Sequence, residues 1–378
     1  MDFISQFKVT KEAGSQVKIE GEIPFSELAA QRAKALVHIG KDMEIAGFRK
    51  GNIPEKMIVA QVGEMEILSE MAERALSVIY PTILKEHKID AIGYPKISIT
   101  KIAQDNPLGF SLLIATLPEV ALPDFKKIAA GENKNKESEE VAEDEVTQQI
   151  KDILRQKLAY ERLQGKAQQT HTHEDGTVHE GPAYDHDAEL APADKEVKAV
   201  TDADLPELTD AYVQTLGTKD QFKTVADFKT KVKEHLTVQK AQDVHAKHRA
   251  KITDKIIENS TIDLPQVLID SEIEQMFGQM NEDLTRANLK MDDYLGHIKK
   301  TKDELKSEWT PAAEKRAKLQ LVLNEIAKKE NVTPDKAQLD TQVDQLLSQY
   351  KDADETRVRV YVASVMINEA VMRMLEKQ

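Results

Sequence analysis

Apolar and polar positions alternate along Val17-Lys18-Ile19-Glu20-Gly21-Glu22-Ile23, the period of a strand with one face buried. An earlier strand-like piece shares residues 3–23, and Pro24 closes the pair. From Phe25 to about Lys41 the period lengthens, with Leu28, Ala29, Leu36 and Ile39 at helical spacing. A short helix is predicted after Pro54, a break at Gly63, and a longer helix over Glu64–Glu86 carrying Ile67, Met71, Leu76 and Ile79. Strands then recur at Ile97–Ile102 and Phe110–Ala115. The cluster Asp105-Asn106-Pro107-Leu108-Gly109 between them predicts an antiparallel turn. Strands outside and helices between them make an α+β domain over residues 1–123.

Downstream the pattern is almost wholly helical. Residues 126–142 read as a solvated linker, with Gly131, Asn133, Asn135 and an acidic run at Glu137, Glu139 and Glu140. A helix over 142–163 carries Val146, Ile150, Ile153, Leu154 and Leu158 on one stripe. Residues 164–200 lose all periodicity and hold one aromatic, Tyr184, so they read as a flexible His- and acid-rich linker unable to bury a core of their own. Helices resume from Thr201. A long one covers 225–259, and the next opens at Asp263-Leu264-Pro265 with Ile269, Ile273, Met276, Phe277, Met280 and Leu284 in one continuous stripe. Further helices are predicted near 302–330, 334–350 and 355–375. Segments 124–163 and 201–378 thus form a discontinuous, mostly α-helical second domain.

Composition sharpens this picture. The apolar share is 40%, the aromatic share 5% and the charged share 31%, which favours long amphipathic helices in an extended molecule over one large globule. The net charge of −14 argues against nonspecific binding to DNA or to anionic membranes. Residues 1–125 hold 14 Lys plus Arg against 17 Asp plus Glu, so this part sits near balance at −3 and the acidity lies downstream. Without cysteine there are no disulfides and no thiolate chemistry. No apolar run approaches the ~18 residues of a membrane span. The N-terminus also lacks the basic start and apolar core of a signal peptide, and a cytoplasmic location is expected.

Few constellations carry chemistry. His171, His173, His179 and His186, among Glu174, Asp175, Asp185 and Asp187, have metal-ligand composition, but their spacing matches no familiar site; adventitious binding is the simpler reading. His245 and His248 lie three apart on a predicted helix, where a solvated, Lys- and Arg-rich face accounts for them. No phosphate loop, nucleophile elbow or zincin motif is present, and no cofactor or catalytic seat is expected. The methionines Met276, Met280 and Met291, and Met366, Met372 and Met374, together with Phe277, are either helix-packing core or flexible surfaces for apolar partners.

One stretch stands apart: Gly47-Phe48-Arg49-Lys50-Gly51-Asn52-Ile53-Pro54. Two glycines allow positive φ on either side of an apolar ring and two cations, and Pro54 opens the following helix at its first position. Such a tip suits a partner with carboxylates or phosphates; an ordinary turn is the plainer alternative. The octapeptide closely resembles the GFRxGxxP signature of the trigger factor family, ribosome-associated bacterial chaperones. The likeness continues through Ile58-Val59-Ala60-Gln61 to Leu117-Pro118-Glu119-Val120, and resumes at Asp204-Leu205-Pro206-Glu207-Leu208 and along the C-terminal helices.

The resemblance implies a ribosome-binding α+β domain followed by a helical chaperone domain with arms. It implies docking by Phe48, Arg49 and Lys50 to protein and RNA of the large subunit beside the exit tunnel, in a loop shaped by Gly47, Gly51 and Pro54. Unfolded nascent polypeptides are the implied clients, with Met276, Phe277, Met280, Met366 and Met372 as candidate contacts and a homodimer expected off the ribosome. Members usually also carry an FK506-binding type prolyl isomerase domain. Residues 164–200 have neither the length nor the rings for its pocket. Isomerase activity and a ribosome-independent helical scaffold remain the alternatives.

Overall fold

The alternation in residues 17–23 becomes the central strand of a small sheet: Val17, Ile19 and Ile23 are buried, while the polar residues between them face outward. The computed structural model describes residues 3–44, 53–167, 170–172, 178–180, 197–217 and 221–378. By contact these form two units, Met1–Ile128 with Thr253–Lys377, and Ala129–Ile252 with Gln378.

In the first unit, strands β1 (Lys8–Glu12), β2 (Gln16–Ile23), β3 (Ala91–Lys101) and β4 (Leu108–Thr116) form an antiparallel sheet in the order β1-β2-β4-β3. The register sets Val17 opposite Ile114, Ile19 opposite Leu112, and Ile23 opposite Leu108, so apolar side chains of β2 and β4 share a face. Helices α1 (Phe25–Ala29), α2 (Arg32–Asp42), α3 (Glu55–Val62) and α4 (Glu64–Glu86) follow β2. Helix α4 supplies Ile67, Leu68, Met71, Ala72, Ala75, Leu76, Ile79 and Ile83 to the sheet's core. Gly21 lets Phe7 lie against β2, since a Cβ there would meet the Phe7 ring at 2.3 Å; that ring meets Phe110 edge-on, with centroids 5.1 Å apart. The single helix predicted over 25–41 is broken at Ala30 and Gln31.

Beyond β5 (Val120–Ala121) comes α5 (Phe125–Asn133), which overlaps the stretch 126–142 read as a linker. Phe125 and Ala129 are buried, four residues apart on one face, which outweighs the turn-forming composition that follows. After β8 (Thr261–Ile262), which pairs with β5, the first unit continues as helices α9 (Gln266–Arg286), α10 (Met291–Ile298), α11 (Lys302–Lys329), α12 (Lys336–Gln349) and α13 (Glu355–Leu375). Thr301 caps α11 by exchanging hydrogen bonds with Glu304, and Asp335 and Asp354 cap the next two helices. The short α10 carries no signal that periodicity alone had picked out.

The second unit is built on α6 (Glu143–Ala167) and the larger part of α8 (Val225–Glu258), with β6 (Thr170–Thr172), β7 (Val178–Glu180) and the single turn α7 (Asp210–Val213) between them in sequence. Val146, Ile150, Leu154, Val213, Phe228 and Val232 form its core.

Candidate docking loop and client-facing helices

Helix α2 precedes the signature segment in sequence and α3 follows it, and a single side chain links the two helices. Arg32, at the start of α2, does this with one guanidinium. Its Nε donates to Glu55 on α3 at 2.9 Å, and its two terminal nitrogens donate to the two oxygens of Glu64 on α4, each at 2.9 Å. Both acids sit in first helical turns, where the helix dipole also favours negative charge. Hydrogen bonds from Glu64 and then Glu55 push the guanidinium's pKa up, and the Arg32 bond holds Glu64 below the usual carboxylate range. Gly63, at φ +83°, makes the sharp break between α3 and α4.

Pro54 is not the first helical residue. It is the N-cap of α3, with extended ψ of 141°, and its carbonyl accepts from Met57 at 2.9 Å. Proline's fixed φ serves the cap equally well, and the helix proper begins at Glu55. Gly47, Phe48, Arg49, Lys50 and Gly51 lie outside the described residues.

The methionine-bearing stripe of α9 faces α11. Ile269, Ile273 and Phe277 are buried with Leu305 and Ala313, and the Trp309 ring stands 4.8 Å from Phe277, whose ring Lys302 also approaches at 4.7 Å. Met276, Met280 and Met291 are half-buried at the margin of this cluster. Met276 and Met280 line a groove of about 480 Å³ with Leu284, Tyr294 and Trp309, and Asp283 and Arg316 supply its charge. On α13, Met366 and Met374 are half-buried and Met372 is buried. Of the five candidate client contacts, Phe277 and Met372 therefore serve as packing here, because each stands on the buried side of its helix. Met276, Met280 and Met366 keep exposed surface.

Strand pairing sets His171 opposite His179, while His173 and His186 lie outside the described residues. Among the described residues no group of three or more metal-ligating side chains comes together. His248 corrects the solvated-face reading: it is buried, with Nε2 2.8 Å from the Asn133 Oδ1, a partner that makes burial tolerable.

Two family models match this chain. The model described as bacterial trigger factor protein covers residues 5–153, and that for the trigger factor C-terminus covers residues 224–378. The chain belongs to the trigger factor family. The trigger factor of Fusobacterium nucleatum is 25% identical over 396 residues, which cover 91% of this chain and 90% of that one. That of Halothermothrix orenii is 24% identical, covering 92% and 91%. A solved structure concerned with promiscuous substrate recognition in folding and assembly activities of the trigger factor chaperone aligns over 98% of this chain and 99% of that one, with a TM-score of 0.48 and 16% identity.

Residues 154–223 lie between the matched segments. Leu205, Leu208, Tyr212 and Val213 from this interval pack with residues of α6 and α8. Among the described residues no helix is long and apolar enough to cross a membrane. Sequence reasoning missed the Arg32 tie and the Phe277–Trp309 pair. The aromatic pair was within reach, since Phe277 and Trp309 each fall on an apolar stripe.

Proposed function

We infer that this chain is an ATP-independent, ribosome-associated chaperone of the cytoplasm, which binds nascent chains beside the tunnel exit and delays their premature collapse. The observation that carries the reading is the match of both family models, on either side of a short interval. Phe48, Arg49 and Lys50 are the docking residues: Phe48 enters a small apolar cleft, Arg49 pairs with a carboxylate or phosphate of the large subunit, and Lys50 steers the encounter. Gly47, Gly51 and Pro54 shape the loop, and the Arg32 tie holds the helices that flank it.

Client protection belongs to the half-buried side chains downstream. Thioether side chains adapt to many apolar surfaces, and Met276 and Met280 present them beside the Trp309 ring. Met366 adds a further such contact. No nucleotide enters this cycle; release follows as the client buries its own apolar surface. Off the ribosome, free chains pair as homodimers.

The test is suppression of aggregation of a chemically denatured client, without nucleotide. The wild-type chain is expected to suppress it, and Met276→Ser with Met280→Ser to weaken the effect. An inert wild-type chain would contradict the chaperone reading and favour a scaffold. Strong catalysis of proline-limited refolding by the pure chain would favour an isomerase instead.

A further inference from the structure

Among the described residues, β3 is paired on one side only, by β4. Every residue from Lys96 to Lys101 is exposed. The register places Ile97 opposite Leu112 and Ile99 opposite Phe110, on the face that β2 and β4 bury. Yet Ile97 remains 47% exposed and Ile99 38%, and neither joins the core beneath the sheet. Ser98 stands opposite Ser111 on the other face, and Lys96 opposite Leu113. Among the described residues the strand therefore offers unpaired main-chain groups along one edge and two apolar side chains beside them.

One irregularity precedes this edge and a second falls within its last residues. One lies between Ile92 and Lys96, where Gly93 has φ +68° and Tyr94 is 98% exposed; the second lies between Ile99 and Lys101. The second is seated on Gly109, where a Cβ would come within 2.7 Å of the Thr100 hydroxyl oxygen. Bulges and lysines are the devices by which sheets restrict edge pairing. Here they leave a short window open rather than closing the edge.

We propose that the free edge of β3, Lys96–Lys101, binds an extended segment of unfolded polypeptide as a fifth strand of the sheet, with apolar client side chains on Ile97 and Ile99. Main-chain pairing requires an extended partner whose own amides are free. A folded protein has already paired most of its amides; an unfolded client has not. A second copy of β3 is a poor occupant, because antiparallel pairing brings each Lys96 beside the other's Lys101, and like charges across strands repel. Recognition through the backbone is tolerant of sequence, as a chaperone requires, and in that respect the inference rests on the reading above.

The probe is a capped octapeptide of alternating valine and threonine with a glutamate at each end, titrated into the full chain. Its twin carries methyl groups on all internal amide nitrogens, which keeps the side chains and removes the donors. The parent is expected to slow hydrogen exchange within residues 96–101, and the twin to bind about tenfold more weakly or worse. Ile97→Thr with Ile99→Thr, which keeps strand propensity, is expected to weaken the parent by a similar factor. Equal binding of parent and twin, or protection confined to α9 and α11, would overturn the proposal. So would a free-chain dimer that dissociates when Ile97 and Ile99 are replaced. These outcomes decide the edge by themselves, whereas an inert chain in the aggregation assay sinks the chaperone reading.

Discussion

Arg32 reaches back from α2 to both helices that follow the loop, and removing it exposes how far the loop's surroundings depend on one side chain. Its side chain is 31% exposed, against 42% for Glu64 and 52% for Glu55, so the pairs are neither fully solvated nor sealed. Hydrogen bonds to charged groups contribute about 1.5–3 kcal/mol when shielded, and exposed ion pairs about 0.2–1 kcal/mol. The bidentate Arg32–Glu64 pair falls between these limits, at roughly 1–2 kcal/mol, with a few tenths more from Glu55. A double-mutant cycle of Arg32→Ala and Glu64→Ala isolates the coupling. Local opening is read from hydrogen exchange of amides in α3 and the first turns of α4, where about 1.4 kcal/mol corresponds to a tenfold change in the opening constant. Arg32→Lys is expected to recover only part of the loss, since one ammonium cannot span three acceptors in a fork. A coupling below about 0.3 kcal/mol, or full recovery with lysine, would refute the reasoning.

Three further outcomes follow from the same structure. In the second unit, Lys251, Lys233 and Lys240 hydrogen-bond Glu137, Glu143 and Glu145 and hold each below the ordinary carboxylate range. A depressed folded-state pKa stabilises above the unfolded value, about 4.3, and that stability is lost as pH falls through the folded value. Thermal melts are therefore expected to show the full contribution of these groups, unchanging, between pH 7 and about 5, and a decline at lower pH that high salt blunts; a chain most stable in acid would contradict this. Gly21→Ala drives a Cβ into the Phe7 ring and is expected to cost roughly 1–3 kcal/mol, recovered in part by Phe7→Leu; an unchanged denaturation midpoint would count against the packing described. Trp309 lies in the Met276 and Met280 groove, so its emission is expected to shift on client binding. A client held with no change in Trp309 emission is held elsewhere.

Much of the fold was legible because burial imposes period. Lys18, Glu20 and Glu22 alternate with buried Val17, Ile19 and Ile23, and the stripe Ile269, Ile273, Phe277 does face a partner helix. What stayed hidden depends on contacts distant in sequence. Arg32 is one of 52 cations among 66 acids, and nothing local marks the two it reaches. Ile97 and Ile99 read only as part of a strand, and nothing local marks them as exposed; the core draws on α4, β2 and β4 and leaves both out. His248 read as surface because lysines and arginine surround it in sequence, whereas its partner Asn133 is 115 residues away. Residues 126–142 read as linker because Gly131, Asn133 and Asn135 dominate the composition, yet Phe125 and Ala129 were enough to anchor a helix. The family signature at Gly47–Pro54 was legible in the sequence, while its residues 47–52 lie outside the described residues.

The central claim is that Gly47–Pro54 attaches this chain to the ribosome. Co-sedimentation with large ribosomal subunits tests it most directly, comparing wild type with a chain carrying Phe48→Ala, Arg49→Ala and Lys50→Ala together. The wild type is expected in the ribosomal pellet, and the triple variant in the supernatant with its aggregation suppression intact. Undiminished pelleting of the triple variant would contradict the account.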